Sequence, residues 1–163
     1  MDDISIASRA HSDIVDYWRR KFAAGEQVYD VFLCHNNRDK GEVRKLNDLL
    51  KRERIRTWFD EDQLLPGRPW QPELEKQIAS VKSAAVIVGL SGLGPWHDVE
   101  SRAFLTEFLN RSCPIIPVLL ETCLTPPELP LFLKQFTWVD FRERVPDPFQ
   151  RLLWGIQGTR RAP

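Results

Sequence analysis

The chain has 163 residues, enough for one domain with its own core, and its 23 Lys+Arg balance 23 Asp+Glu, which argues against a broadly basic nucleic-acid face. It is 42% hydrophobic and 28% charged, the balance of a soluble globular protein, and no apolar run approaches the roughly 20 residues that cross a bilayer. The start, Met1-Asp2-Asp3, lacks the basic region of a secretory signal, and three scattered cysteines (Cys34, Cys113, Cys123) do not make a disulfide framework, so a reducing cytoplasm is expected.

In chain order, residues 1–26 read as an N-terminal helical appendage. Its amphipathic stretch runs from Asp13 to Ala24, with Ser12 as N-cap and Gly25 as stop. Residues 28–35 form an apolar run with β-branched and aromatic members and predict a strand. Cys34 and His35, adjacent on that strand, must face opposite ways and cannot share a metal, and no metal site is expected elsewhere. Asn36-Asn37 are suited to cap the next helix, whose Val43, Leu46, Leu49 and Leu50 share one face. A second strand is expected over Ile55–Asp60, then a loop marked by Pro66-Gly67 and Pro69, then a helix over 70–82 with Pro72 in its first turn. Residues 83–90 are almost wholly apolar, as expected of a strand covered on both faces. A helix over about 96–110, a strand over 114–120, a Pro-rich connection, a short strand over 136–141 and a helix over about 147–156 complete the pattern. Cys34, Cys113, Trp58, Trp138 and Trp154 are expected in the core. Residues 158–163 read as the start of a linker or tail.

Strands alternating with helices predict an α/β fold: a mostly parallel sheet with helices on both faces and ligands bound at the carboxyl ends of the strands. Those ends carry His35-Asn36, Asp60-Glu61, Gly89–Trp96 and Leu120-Glu121. The stretch from Gly89 to Glu100 invites three readings. A phosphate loop would need Lys and a hydroxyl after its last glycine, but Gly94 is followed by Pro95-Trp96. A hydrolase nucleophile elbow would need glycine two residues after Ser91, where Leu93 stands. The third reading places Trp96 and Glu100 at i and i+4, with Phe104 continuing the stripe, so that a carboxylate lies between aromatics. Glu107 on the same stripe is roughly 10 Å away by helical rise, too far for a retaining glycosidase pair. Taken alone, Glu100 reads first as a surface glutamate near a helix N-terminus, where the dipole favours it.

With these residues in view, the chain resembles a Toll/interleukin-1 receptor (TIR) domain of the bacterial type. Tyr29–Asp39 is similar to the family's first box, Ile55–Asp60 followed by Leu65-Pro66-Gly67 to the second box and its mobile loop, and Phe136–Phe141 to the third. Trp96-x-x-x-Glu100 is similar to the Trp–Glu pair of catalytic members. The resemblance covers about residues 28–157, giving a TIR domain over 27–157, and departs at Cys34, where the family often has Ser. It implies a three-layer, five-stranded parallel flavodoxin-like sheet with helices on both faces. It also implies one of two functions: cleavage of NAD⁺ at the nicotinamide–ribose bond, or scaffolding through TIR–TIR contacts. For the first, Glu100 is the expected catalytic residue, and Trp96, Phe32, His35, Asp60, Leu64, Arg68 and Trp70 are expected to bind substrate. NAD⁺ would be substrate, with no cofactor. ADP-ribose or a cyclic form would be the product. The expected partners are further TIR domains in a homo-oligomer and a C-terminal sensor domain in a longer protein, with no nucleic acid and no membrane bound. The natural setting would be bacterial defence.

Overall fold

The computed structural model of the protein describes residues 29–59, 66–67, 80–93, 105–106, 108–124 and 131–158. The expected appendage over 1–26 lies outside them, as do 159–163 of the expected tail. The described elements are β1 (Val31–Cys34), a 3-10 turn (Asn37–Asp39), α1 (Lys40–Arg52), β2 (Thr57–Trp58), β3 (Ala84–Val88), β4 (Ile115–Leu119), α2 (Leu131–Lys134), β5 (Val139–Asp140) and α3 (Pro148–Gln157). Residues 105–106 and 108–110 are also helical, as expected of the helix after β3.

All five strands form one parallel sheet in the order β2-β1-β3-β4-β5. The central strands β1 and β3 are buried throughout, which accounts for their unbroken apolar sequence. Alternate residues feed two cores. Phe32, Cys34, Ala84, Val86, Val88, Ile115 and Leu119 face one side with Trp58, Leu93, Leu105, Phe108 and Leu133. Val31, Leu33, Ala85, Ile87, Ile116 and Val118 face the other, against Val43, Leu46 and Leu50 of α1 and Leu152, Leu153 and Ile156 of α3. The period of two along each strand therefore produces the three layers.

The strands are shorter than their apolar runs. β2 is paired only over Thr57–Trp58 and β5 only over Val139–Asp140. Pro117 sits within β4, yet the ladder to β5 begins at Val118, so the missing N–H falls where that flank has no partner. Val81 bridges Tyr29, so the helix expected over 70–82 does not reach Val81; residues 70–79 lie outside the described ones. α2 was not anticipated in the Pro-rich connection.

Several expected core positions are corrected. At roughly 100° per residue, Asn47 lies about 50° from the centre of the buried α1 stripe and Leu49 about 110° away. Accordingly Asn47 is buried, accepting a hydrogen bond from the Thr57 hydroxyl, while Leu49 is 42% exposed. Trp154 is exposed because it lies opposite the Leu152/Leu153/Ile156 stripe of α3, and Trp138 because it precedes the edge strand. Cys113 is half-buried and only packs against the core, whereas Cys123 is buried.

Helix ends follow their capping signals. Asp147 accepts from the N–H of Phe149 at 3.0 Å and of Gln150 at 3.4 Å ahead of Pro148, and Gly158 closes α3 at φ 71°. α1 ends in a Schellman arrangement: Ile55 N–H reaches Leu50 O at 3.0 Å and Arg54 N–H reaches Lys51 O at 3.0 Å. Here the left-handed residue is Arg54, at φ 62°. Arg54→Gly is expected to stabilise the fold by about 0.5–1 kcal/mol, since relief of the left-handed strain exceeds the added unfolded-state entropy. Thermal unfolding checks this, as a rise in midpoint of about 2–4 °C per kcal/mol.

Candidate functional site

The strand order reverses between β1 and β3: the chain leaves β1 for β2 on one flank and crosses to β3 on the other. The carboxyl ends of those strands flank this switch point, the usual ligand position of open parallel sheets. Of the expected site residues, Phe32 and His35 lie at this end of β1 among the described residues. Glu100, Trp96, Asp60, Leu64, Arg68 and Trp70 lie outside them.

Phe32 and His35 are both buried but on opposite sides of the sheet. Phe32 is 3% exposed, with its ring centroid 5.0 Å from Trp58 and stacked 6.5 Å from Phe108. The His35 ring lies 5.4 Å from Phe59, a member of the other core. Its Nδ1 is 3.1 Å from the Leu33 carbonyl, a contact that a protonated Nδ1 satisfies by donating. Cys34 between them is fully buried, and burial holds its thiol well above the usual value. Cys34 serves there as a small apolar packing group.

β3 leads into a tight turn, Gly89-Leu90-Ser91-Gly92, closed by Gly92 N–H to Gly89 O at 3.2 Å with Gly92 at φ 70°. Gly92, at positive φ, lets the chain turn out of the buried strand. Ser91 N–H faces Asp39 Oδ1 at 3.5 Å, so it does not stand free to cradle a phosphate. Asn36 donates from Nδ2 to Ser91 O at 2.9 Å and accepts from Arg38 N–H at 3.0 Å, so it caps the 3-10 turn and reaches the β3 turn with one side chain. Asp39 is 6% exposed, and its Oδ2 has no hydrogen-bond partner among the described residues. Sequence reasoning did not assign either residue to the site. The available signal was an acidic residue three positions after an asparagine, directly behind a strand end.

The other loops on this edge are also tied together. Thr122 donates to Glu42 Oε1 at 2.8 Å, joining the β4 loop to α1. Arg142 grips Asp140 through Nε at 2.9 Å and Nη2 at 2.8 Å, while Nη1 reaches Leu124 O at 3.3 Å. The Cys123 thiol is raised by burial and by the Asp140 and Asp39 charges, against a lowering by Arg142, so it is no ready nucleophile. The Arg142 hydrogen bond, with its backbone N–H and charge, holds the Asp140 carboxyl below its ordinary 3.8 despite burial. A carboxylate depressed in the folded state stabilises at pH above the unfolded value, and that contribution is lost as pH falls through the folded one. Urea midpoints compared at about pH 6 and about pH 3 are expected to fall less steeply for Asp140→Asn than for the native chain. At the opposite end of the sheet, burial pushes the Asp30 carboxyl up, but Arg56 and Lys82 more than reverse it, so the same sign applies there.

At the other flank Pro66-Gly67 forms an exposed turn with Gly67 at φ 84°, the conformation that favours glycine behind proline. Among the described residues no group of His, Cys, Asp and Glu is arranged to hold a metal ion. No helix among them is long and apolar enough to cross a membrane.

This topology, with its switch point between β1 and β3, defines a doubly wound α/β domain of flavodoxin-like order. The family within that class is given by sequence: the TIR domain family is matched over residues 31–153, and the chain belongs to it. The chain is 26% identical over 96 residues to a protein of Methanobrevibacter olleyae named a probable 2' cyclic ADP-D-ribose synthase, TcpO. That stretch is 58% of this chain but 28% of the relative, so the chain spans less than a third of that protein. Among solved structures it is similar to the TIR domain of the Toll-related receptor TRR-2 of Hydra magnipapillata (TM-score 0.61, 22% identity, 80% of this chain and 99% of that one). It is also similar to a TIR-STING receptor of C. gigas in complex with 2',3'-cGAMP (TM-score 0.60, 21% identity, 83% of this chain and 40% of that one). At these identities the two structures speak for the fold.

Proposed function

We propose that this TIR domain cleaves NAD⁺ at the nicotinamide–ribose bond when it self-associates, with Glu100 as its catalytic residue. The observation that carries the reading is the Trp96-x-x-x-Glu100 pair, which follows in sequence the β3 turn at the switch point of the sheet. The name of the M. olleyae relative, a cyclic ADP-ribose synthase, points to the same substrate class.

The chemistry asks little of the protein beyond charge and position. The C1′–N bond breaks with its electron pair going to the pyridinium nitrogen, so nicotinamide departs neutral and needs no general acid. Positive charge develops on the ribose ring, and a carboxylate in a water-poor site stabilises it more in the transition state than in the ground state. Glu100 fills that role, with Trp96 packing beside the ribose or nicotinamide. Capture of C1′ by water, with loss of a proton, gives ADP-ribose. Capture by an adenine nitrogen or ribose hydroxyl gives a cyclic product. Asp60, Leu64, Arg68 and Trp70 would complete the site from the loop after β2, shared between neighbouring copies, so turnover follows mass action.

The alternative is a scaffold in which Pro66–Pro69 is adhesive and nothing is cleaved. The exposed Pro66-Gly67 turn is the observation favouring it. The readings separate in one assay: purified protein, dilute and artificially clustered, incubated with NAD⁺ and followed for nicotinamide. Release that rises with clustering supports the enzyme, and its absence from clustered protein leaves the scaffold.

A further inference from the structure

Two side chains from the segment after β1 hold one residue of the β3 turn from both sides. Asn36 Nδ2 donates to Ser91 O at 2.9 Å, and Asp39 Oδ1 faces Ser91 N–H at 3.5 Å. Asp39 stands at the N-cap of α1 yet makes no capping hydrogen bond, so its carboxylate is diverted from the usual task of that position. It lies instead against Gly89, where a Cβ would come 2.7 Å from Asp39 Cγ and 2.9 Å from both oxygens. Gly67 and Gly92 have open space and positive φ, whereas Gly89 has no positive φ. Glycine at 89 therefore answers to the carboxylate's volume and not to backbone conformation. Just beyond the turn Leu93 is 1% exposed in the core that holds Phe32 and Phe108. Ser91 stands five residues before Trp96 and nine before Glu100.

We propose that Asn36 and Asp39 are positioning residues that clamp the Ser91 backbone and set where the chain bearing Trp96 and Glu100 leaves the sheet. The turnover part of this proposal rests on the NAD⁺ reading, and the structural part does not. Asp39 is buried with one oxygen unpartnered among the described residues, and burying a carboxylate costs more than burying a neutral side chain of that size, so its place here is accounted for by what it holds. Small displacements of reacting groups have large kinetic effects, so a clamp at the root of the segment acts on the transition state without touching substrate.

Conservative variants separate clamping from folding. Asn36→Asp keeps the oxygen that caps Arg38 N–H but removes the donor to Ser91. Asp39→Asn keeps an acceptor of the same shape, and Asp39→Ala removes it. Hydrogen exchange is measured on peptides covering 89–104 and, as reference, on α3. Exchange over 89–104 is expected to quicken by about tenfold in Asn36→Asp and Asp39→Ala, with α3 unchanged and Asp39→Asn near the native chain. In clustered protein with NAD⁺, the same two variants are expected to lose about tenfold or more in kcat with KM within about twofold. Unchanged exchange over 89–104, or an equal rise in α3, overturns the clamp. Quickened exchange with native kcat leaves the clamp standing and overturns its role in positioning the catalytic segment. If the native chain releases no nicotinamide when clustered, the NAD⁺ reading fails, and exchange alone decides whether Ser91 is clamped.

Discussion

Glu100→Gln in clustered protein is expected to lower nicotinamide release by about 10²–10³-fold, the usual cost of removing one preorganised electrostatic group from an active site. The amide keeps the size and the hydrogen-bonding oxygen of glutamate but not its charge, so self-association is expected to survive. Glu100→Ala should lose at least as much. Initial rates over a range of NAD⁺ concentrations check this, with light scattering or sedimentation on the same samples. Equal release by the native chain and the Gln variant would remove Glu100 from the mechanism. Loss of assembly together with turnover would instead place it in an interface. A loop variant at Arg68 does not discriminate in this way, because the enzyme and the scaffold both use that loop.

Phe32→Ala is expected to cost about 3–5 kcal/mol, the range for removing a large aromatic side chain from a packed interior. Phe32 is 3% exposed between Trp58 and Phe108, so truncation leaves a cavity on one side of the central strand. Against a typical domain stability of about 5–15 kcal/mol, that brings the fold near its limit. Activity of this variant should therefore fall through loss of folded protein, seen as a lower urea midpoint with an unchanged slope. Phe32→Leu should recover much of the stability. If it also recovers turnover, Phe32 serves the site by supporting β1. If it folds but stays inactive with raised KM, the ring contacts substrate directly.

The parallel α/β architecture was legible because it rests on local signals that tertiary packing reinforced. Unbroken apolar runs at β1, β3 and β4, the Asp147/Pro148 start of α3 and its Gly158 stop all carry their meaning within a few residues. Positions whose fate depends on distant partners were less legible. Leu49 and Asn47 are neighbours on one helix, and hydrophobicity alone favours Leu49 for burial. The Thr57 hydroxyl satisfies Asn47 and reverses that choice. Trp138 and Trp154 were expected inside for their size, but an edge strand and the outer side of a helix left them no facing layer.

The same division runs through the site. Sequence by itself determined the fold class, the turn after β3 and the Trp96/Glu100 spacing, which the TIR resemblance makes worth testing for NAD⁺ chemistry, because periodicity and motif are properties of contiguous chain. Only the tertiary structure decided that Phe32 packs between Trp58 and Phe108 and that His35 lies against Phe59. It alone showed that Gly89 is small to admit a carboxylate 50 positions earlier, and that Asn36 and Asp39 meet at Ser91. The physical reason is that a parallel crossover brings the ends of β1 and β3 side by side, and contacts made across that gap leave no period in the sequence.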